Sequence, residues 1–231
     1  EFKPSGASEI RQAGYEFDKM RKRIIRHLNQ RSEMLSGISH DLRTPLTRMK
    51  LQIAFIKEKE LSNKLSEDIN EMEKMLNEYL NFASSSYSEK DEMFDLTELI
   101  DQIIEKYNHS NISKNLIPRV YYNGRKNLIT RCINNLIDNS IKYGDKINIE
   151  LSKNKNNLFI RIEDNGPGIP VKEYGNVFKP FYKIDKGRAA SKSSVGLGLS
   201  IASDIIRSHG GNIMLEKSSL NGLGVKIFLP V

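Results

Sequence analysis

A histidine at position 40 has the surroundings that most clearly suggest chemistry. Residues 39–46 (SHDLRTPL) place the carboxylate of Asp41 directly after it and the hydroxyl of Thr44 one helical turn further on. A lone surface histidine is ordinarily no more than a solvated side chain. Because an acid and a hydroxyl accompany His40, we interpret it instead as a residue with a chemical role.

The segment around His40 has the pattern of an amphipathic helix. Its apolar residues recur at helical steps of three and four, and they are Leu35, Ile38, Leu42, Leu46, Met49, Ile53 and Ile56. At about 100° per residue, His40 points away from this stripe and toward solvent. Pro45 has no N–H and crowds the carbonyl of Asp41, so we expect the helix to bend just after the histidine.

Four further motifs follow in the second half of the chain. They are residues 135–143 (NLIDNSIKY), 164–170 (DNGPGIP), 178–181 (FKPF) and 196–200 (GLGLS). Together with residues 39–46 they resemble the H, N, first glycine, F and second glycine boxes of the sensor histidine kinases, most nearly the EnvZ osmosensor type. Residues 6–10 (GASEI), followed by Phe17 and Met20, are similar to the end of a HAMP signal-relay module. One box alone would be a weak signal, whereas five in one order are specific.

The composition is that of a folded protein with one large domain or two. Of its 231 residues, 38% are hydrophobic and 28% are charged. Cys132 is the single cysteine, which excludes an internal disulfide, and its place on the apolar side of a helical pattern predicts a buried structural thiol. The net charge of +7 comes from scattered basic residues without a nucleic-acid motif, so we expect no nucleic-acid partner.

The chain shows neither a membrane-spanning run of apolar residues nor a signal peptide, and it begins without methionine inside the HAMP-like segment. We interpret it as the cytoplasmic portion of a bacterial inner-membrane receptor. The full-length protein would then lie in the membrane.

The first third of the chain predicts a helical hairpin. Helical spacing covers residues 8–30 and continues into the His40 segment. After a polar break near residues 61–63, a second helix carries Leu65, Ile69, Met72, Leu76, Leu80 and Ala83. Each hairpin leaves an apolar stripe uncovered, and two copies would bury both stripes in a four-helix bundle. We therefore predict a homodimer.

The rest of the chain alternates between helices and strands. We expect helices near residues 96–107, 127–142 and 197–208, and strands near 117–122, 146–152, 158–163, 212–216 and 224–229. No glycine run joins a strand to a helix with a Lys-Ser/Thr ending, so a P-loop is excluded. The fold class is α plus α/β: a dimeric four-helix-bundle phosphoacceptor domain, then an α/β sandwich that resembles the ATP-binding domain of histidine kinases and Hsp90.

The predicted boundaries follow these patterns. Residues 1–30 are the end of the HAMP-like module with its following helix, and residues 31–86 are the dimerisation and phosphotransfer domain. The serine-rich residues 84–88 lie at the connection, and residues 87–93 are the linker. Residues 94–231 are the catalytic ATP-binding domain.

The resemblance implies a binding site for ATP and Mg²⁺. Asp164, at the end of a strand, would accept the exocyclic N–H of adenine, and Asn139 would offer an amide oxygen to Mg²⁺. Asn135, one helical turn before Asn139, would support the metal or the phosphates. The other implied contacts are Lys142, Tyr143, Gly166, Gly168, Ile169, Gly196, Leu197 and Gly198. Without the resemblance, Asn135 and Asn139 could equally be exposed helix residues.

Residues 183–195 resemble the mobile lid over the nucleotide, with Lys183 and Arg188 placed to reach the γ-phosphate. The family pattern begins the second glycine box with Gly-Thr, where this chain has Ser194 and Val195. Phe178 and Phe181 are expected to anchor the lid in a hydrophobic patch.

The resemblance also implies the reaction. His40 would accept the γ-phosphoryl group while Asp41 holds the other ring N–H, and the group would pass to an aspartate of a response regulator of the OmpR type. Thr44 would orient water for dephosphorylation of that regulator, which makes the protein bifunctional, although a threonine in a helix can also bond its own backbone. Two other classes stay open: an ATPase of the chaperone or topoisomerase type, and a silent scaffold.

Overall fold

The computed structural model describes residues 8–84, 89–107, 111–154, 157–184 and 196–231. Within the helices it leaves out the side chains at 9, 25, 28, 29, 31–33, 35, 36, 39, 40 and 77–84. The chain forms two compact units, Glu1–Ser88 and Glu89–Val231. No helix in the described part is long and apolar enough to cross a membrane.

The first unit is an antiparallel helical hairpin. Helix α1 spans Ser8–Ile53 and helix α2 spans Lys59–Ser84. Leu46 and Ile53 of α1 are buried with Ile69 of α2, and Ile56, Leu65 and Leu76 pack against them. An ion pair between Lys50 and Glu73, 2.6 Å apart, joins the two helices beside this core.

The predicted break near residues 61–63 is wrong, because these residues lie inside α2. The connection is residues 54–58 instead, and α2 begins with the N–H of Ser62 donating to the carbonyl of Glu58. The hydroxyl of Ser62 donates to the carbonyl of Ile53 at 3.4 Å. A polar residue that suggested a loop therefore satisfies a carbonyl at the end of α1.

Within its described residues, the second unit contains three α-helices, a short 3₁₀ helix at Val171–Glu173 and two sheets. Its elements in order are β1 (Glu92–Asp95), α3 (Leu96–Lys106), β2 (Ile112–Leu116), β3 (Tyr121–Gly124), α4 (Lys126–Tyr143), β4 (Ile147–Asn154), β5 (Asn157–Asp164), α5 (Gly198–Ser208), β6 (Asn212–Lys217) and β7 (Leu223–Pro230). The main sheet has the order β2-β4-β5-β7-β6, and β1 pairs with β3 in a separate ribbon. In the main sheet β2 runs parallel to β4, and the other neighbours are antiparallel.

The core of this unit lies between one face of the main sheet and the helices. Alternate residues of the central strands are buried, namely Ile147, Ile149, Leu151, Leu158, Ile160, Ile162, Val225, Ile227 and Leu229. Cys132 of α4 is fully buried 3.9 Å from the carbonyl of Ala202 in α5, and burial raises the pKa of its thiol to about 12. The prediction of a structural thiol is confirmed, as is the α plus α/β fold class.

The strand predicted at residues 117–122 is wrong. Strand β2 ends at Leu116 and β3 begins at Tyr121. Between them, Pro118 has no N–H for a sheet and Arg119 adopts a positive φ of 58°, so a continuous strand cannot form. Strand β1 begins inside the predicted linker 87–93, where no pattern of period two had indicated it.

Candidate functional site

The carboxylate of Asp164 is held rigidly at the end of β5. Asp164 is 2% exposed, and its Oδ1 accepts the N–H groups of Gly166 at 2.9 Å and Leu223 at 3.1 Å. In the part of the chain that the structure describes, both bonds reach the same oxygen, which leaves Oδ2 for a ligand. The carboxylate is therefore preorganised, since two backbone donors set its orientation.

Glycines let the loop after β5 come very close to the end of α4. A Cβ on Gly166 would lie 2.6 Å from the carbonyl oxygen of Tyr143, and one on Gly222 would lie 2.4 Å from that of Asp164. Gly168 has a φ of +69°, which is costly for other residues. A side chain at these positions would force apart the segments that surround Asp164, so the first glycine box is needed for this packing.

Asn165 is a site residue whose role the sequence reasoning missed. Its Oδ1 accepts the N–H groups of Asp145 at 2.8 Å and Lys146 at 2.9 Å, directly after α4. This side chain joins the end of α4 to the end of β5. The only signal in the sequence was the tendency of asparagine to bond nearby turn backbone.

Helix α4 presents its predicted contact residues along one side. Asn135, Asn139 and Lys142 are half-buried, and Tyr143 is 48% exposed. The Nδ2 group of Asn135 is buried and has no hydrogen-bond partner among the described residues. A buried amide without a partner costs about 1–3 kcal/mol, so this group calls for an acceptor from a ligand or water.

Helix α4 is also held by Tyr107, whose role the sequence reasoning missed. Its hydroxyl donates to Oδ1 of Asp138 at 2.8 Å. Burial, together with this carboxylate, raises the pKa of Tyr107, so the phenol stays protonated and continues to donate. The rotation of α4 about its axis is thereby restrained.

The second glycine box forms the start of α5. Gly196 has a φ of +80°, and its carbonyl accepts the N–H of Phe181 at 3.0 Å. Leu197 is buried, and Gly198 opens the helix, to which no side chain of the described residues gives a cap. The site of a Cβ on Gly198 is 3.8 Å from the carbonyl oxygen of Asn135, so this helix start adjoins the contact side of α4.

The structure leaves part of the predicted lid undecided. Lys183 is exposed and Ile169 is half-buried in the loop after Gly168. Arg188, Ser194 and Val195 lie outside the described residues. Phe178 is half-buried, and Phe181 is 56% exposed with a φ of 64°. Because residues 185–195 lie outside the described residues, the role of these two side chains as lid anchors stays a prediction.

Glu163 is a second buried carboxylate at this end of β5, and it braces the turn that leads to Leu223. It accepts the N–H and the hydroxyl of Ser219 at 2.7 and 3.1 Å. Burial by itself would raise the pKa of Glu163, but the bonds from Ser219 and the charge of Arg161 outweigh it and lower the pKa. An ionised Glu163 thus supports the strand start that holds Asp164.

The predicted acceptor segment lies within α1. The helix runs without a break through His40 and Pro45, and the side chain of His40 lies outside the described residues, so its predicted orientation remains a prediction. Asp41 and Thr44 are exposed. Thr44 lines a shallow groove on the same helix with Arg43, Thr47, Arg48 and Leu51.

Two family descriptions match the chain, one in each unit. Residues 30–87 match the His Kinase A (phospho-acceptor) domain. Residues 124–231 match the histidine kinase-, DNA gyrase B- and HSP90-like ATPase. The first match contains His40, and the second contains every predicted contact on α4, β5 and α5.

Curated relatives and solved structures agree with these matches. The sensor histidine kinase GtrS of Pseudomonas aeruginosa is 33% identical over 97% of this chain and 47% of its own length. The sensor histidine kinase CpxA of Escherichia coli is 28% identical over 98% of this chain and 53% of its own length. The chain thus spans about half the length of these relatives.

Among solved structures, full-length ShkA in complex with AMPPNP superposes with a TM-score of 0.67 at 19% identity, over 86% of this chain and 45% of that one. This likeness concerns the fold alone. The two domain matches and the curated relatives lead to one conclusion: the chain carries the phospho-acceptor and ATPase domains of a sensor histidine kinase.

Proposed function

We propose that this chain phosphorylates its own His40 with ATP. The observation that carries the proposal is the anchored carboxylate of Asp164, whose Oδ1 is occupied by two backbone N–H groups. Its Oδ2 can then accept a hydrogen bond from the exocyclic amino group of adenine, a donor that guanine lacks at that position. The Nδ2 of Asn135 and the start of α5, neither of which has a side-chain partner among the described residues, supply donors where phosphates would lie.

Mg²⁺ fits the donor set of this site. No group of three or more His, Cys, Asp or Glu side chains suited to a metal occurs among the described residues. Mg²⁺ in nucleotide sites is held by few protein ligands and by substrate phosphates, and it offsets the phosphate charge when bound. We assign Asn139 as its protein ligand, since an amide oxygen is a hard donor on the half-buried side of α4.

The acceptor chemistry follows from the residues of α1. Neutral His40 uses the lone pair of Nε2 to form a bond to the γ-phosphorus, while the bond to the bridging oxygen breaks and ADP leaves with that electron pair. Asp41 holds the N–H on Nδ1 and stabilises the positive charge that develops on the ring. Asp41 and Thr44, the two residues that assist the histidine in this scheme, are exposed.

We propose a homodimer through the helical hairpin. Outside the small core of the hairpin, α1 and α2 carry several large apolar side chains that are exposed in the single chain. They include Leu42, Met49, Leu51, Leu61 and Met72. A second hairpin would remove this surface from water in a four-helix bundle.

The wider role is a further part of the proposal. The phosphoryl group would pass from His40 to an aspartate of an OmpR-type response regulator, and Thr44 would orient the water that later removes it. The full-length protein would be a membrane receptor of the EnvZ osmosensor type. Phosphotransfer profiling against the response regulators of the source organism tests the partner, and phosphorylation of none of them would contradict it.

Incubation with γ-labelled ATP tests the central proposal. His40→Gln should abolish label that is labile to acid and stable to base, while the affinity for ATP stays near that of the unmodified chain, because the nucleotide site lies in the other unit. His27→Gln is the matched control, since His27 is exposed on the same helix. Retained label in His40→Gln, or its loss in His27→Gln, would assign the acceptor to another residue.

A further inference from the structure

Helix α4 cannot cap its own first turn. The residue at its N-cap is Arg125, which has no acceptor, and the first turn contains no acidic side chain. By contrast, α3 is capped by its own Asp95, which accepts the N–H groups of Thr97 at 2.9 Å and Glu98 at 3.2 Å. The start of α4 also carries the positive charges of Arg125 and Lys126, which are unfavourable at the positive end of a helix dipole.

The missing cap is supplied by Glu89, which lies 38 residues before Asn127, the first residue whose N–H it accepts. Its Oε1 accepts the N–H of Asn127 at 2.7 Å, and its Oε2 accepts that of Leu128 at 3.2 Å. A carboxylate that takes two N–H groups at a helix start is favoured both by the hydrogen bonds and by the dipole. The first turn of α4 is therefore closed by a residue remote in sequence.

Glu89 is the first residue of the second unit along the chain, directly after the connection from the first unit. The N-cap residue, Arg125, is held by different residues, at the end of α5. Arg125 donates through Nη2 to the carbonyl and the hydroxyl of Ser208 at 2.8 and 2.6 Å, and its N–H donates to Nε2 of His209 at 3.1 Å. Of the contacts at the start of α4, the bonds to Glu89 involve the residue nearest the connection, whereas Ser208 and His209 lie at the end of α5.

We propose that Glu89 is a positioning residue for the nucleotide site and couples the connection between the two units to that site. It holds the start of the helix that carries Asn135 and Asn139, and its withdrawal frays α4 and lowers the affinity for ATP. This role rests on the proposed function of the site. By linkage, bound ATP in turn strengthens the contact of Glu89 with α4.

The test uses the full chain with Glu89→Gln and Glu89→Ala. Amide hydrogen exchange at Asn127 and Leu128 should accelerate by about five- to thirtyfold in Glu89→Ala, the range expected for loss of a cap, and by less in Glu89→Gln, which keeps one acceptor. The KM for ATP in autophosphorylation should rise about twofold or more in Glu89→Ala, while the maximal rate at saturating ATP is retained.

Two controls separate this role from a general loss of stability. Glu92→Gln removes an exposed carboxylate three residues further on and should change neither exchange nor KM. Asp95→Ala removes the cap of α3 and should accelerate exchange at Thr97 and Glu98 without raising the KM for ATP.

Unchanged exchange at Asn127 and Leu128 in Glu89→Ala would refute the cap. Accelerated exchange with an unchanged KM, or an equal rise of KM in Asp95→Ala, would refute the coupling. If the unmodified chain failed to bind ATP, the proposed function would be refuted, and the role of Glu89 with it. This outcome differs from the others because it is seen without any substitution.

Discussion

Replacement of Asp164 by asparagine should separate ligand recognition from folding. The amide oxygen of Asn can still accept the N–H groups of Gly166 and Leu223, so the loop should keep its conformation. The group that replaces Oδ2 is an NH₂, which donates and therefore faces the donating amino group of adenine. The charged acceptor is lost, and two donors oppose each other.

The size of the effect follows from these bonds. A hydrogen bond to a charged group contributes about 1.5–3 kcal/mol, so Asp164→Asn should weaken ATP binding by about 10- to 150-fold. Asp164→Ala should in addition lower the free energy of unfolding, because it removes the acceptor of the half-buried N–H of Gly166 and of the buried N–H of Leu223, and a buried N–H without an acceptor costs about 1–3 kcal/mol.

The assay is nucleotide titration by calorimetry with ATP and with ITP, which has a carbonyl oxygen in place of the amino group. The unmodified protein should prefer ATP, and Asp164→Asn should lose this preference. Glu163→Gln is the matched control, because this neighbouring carboxylate bonds Ser219 instead; it should lower stability and keep the preference. An Asp164→Asn protein that still binds ATP normally and prefers it to ITP would refute our assignment of adenine recognition.

Further predictions concern the metal ligand, the phosphatase activity and pH. Asn139→Ala should weaken Mg²⁺–ATP binding and remove autophosphorylation, and mixed dimers with His40→Gln should regain activity only if transfer crosses the dimer; normal Mg²⁺–ATP affinity would exclude Asn139 from the site. Thr44→Ala should leave autophosphorylation nearly unchanged and slow the decay of the phosphorylated regulator by about tenfold or more, as expected for loss of a positioned group, whereas an unchanged decay rate would make Thr44 structural. Burial lowers the pKa of His209 from 6.5, so protons bind the unfolded chain first and the free energy of unfolding should fall as pH drops below about 6.5 toward the lowered pKa. In His209→Gln, the free energy of unfolding measured by chemical denaturation should depend less on pH in that window. The same pH dependence in both proteins would contradict a lowered pKa of His209.

The errors in the element predictions have local physical causes. Ser62 and Asn63 are polar, yet they lie inside α2, where the hydroxyl of Ser62 donates to the carbonyl of Ile53 at the end of the preceding helix. The strand expected at 117–122 contains Pro118, which should have argued against it. Strand β1 was missed because its four residues are too few for a period of two and form a strand only by pairing with β3.

The fold class, the helical hairpin, the central strands and the two domain types could all be predicted from the sequence. Helical spacing, apolar alternation and short motifs are properties of neighbouring residues, so they can be read along the chain. Which oxygen of Asp164 is occupied could not be predicted in this way, since one of its donors, the N–H of Leu223, lies 59 residues away in the chain. The same holds for the cap of α4, whose acceptor Glu89 lies 39 residues before Leu128. A backbone N–H accepts any partner with the right geometry, and that geometry exists only after the chain has folded.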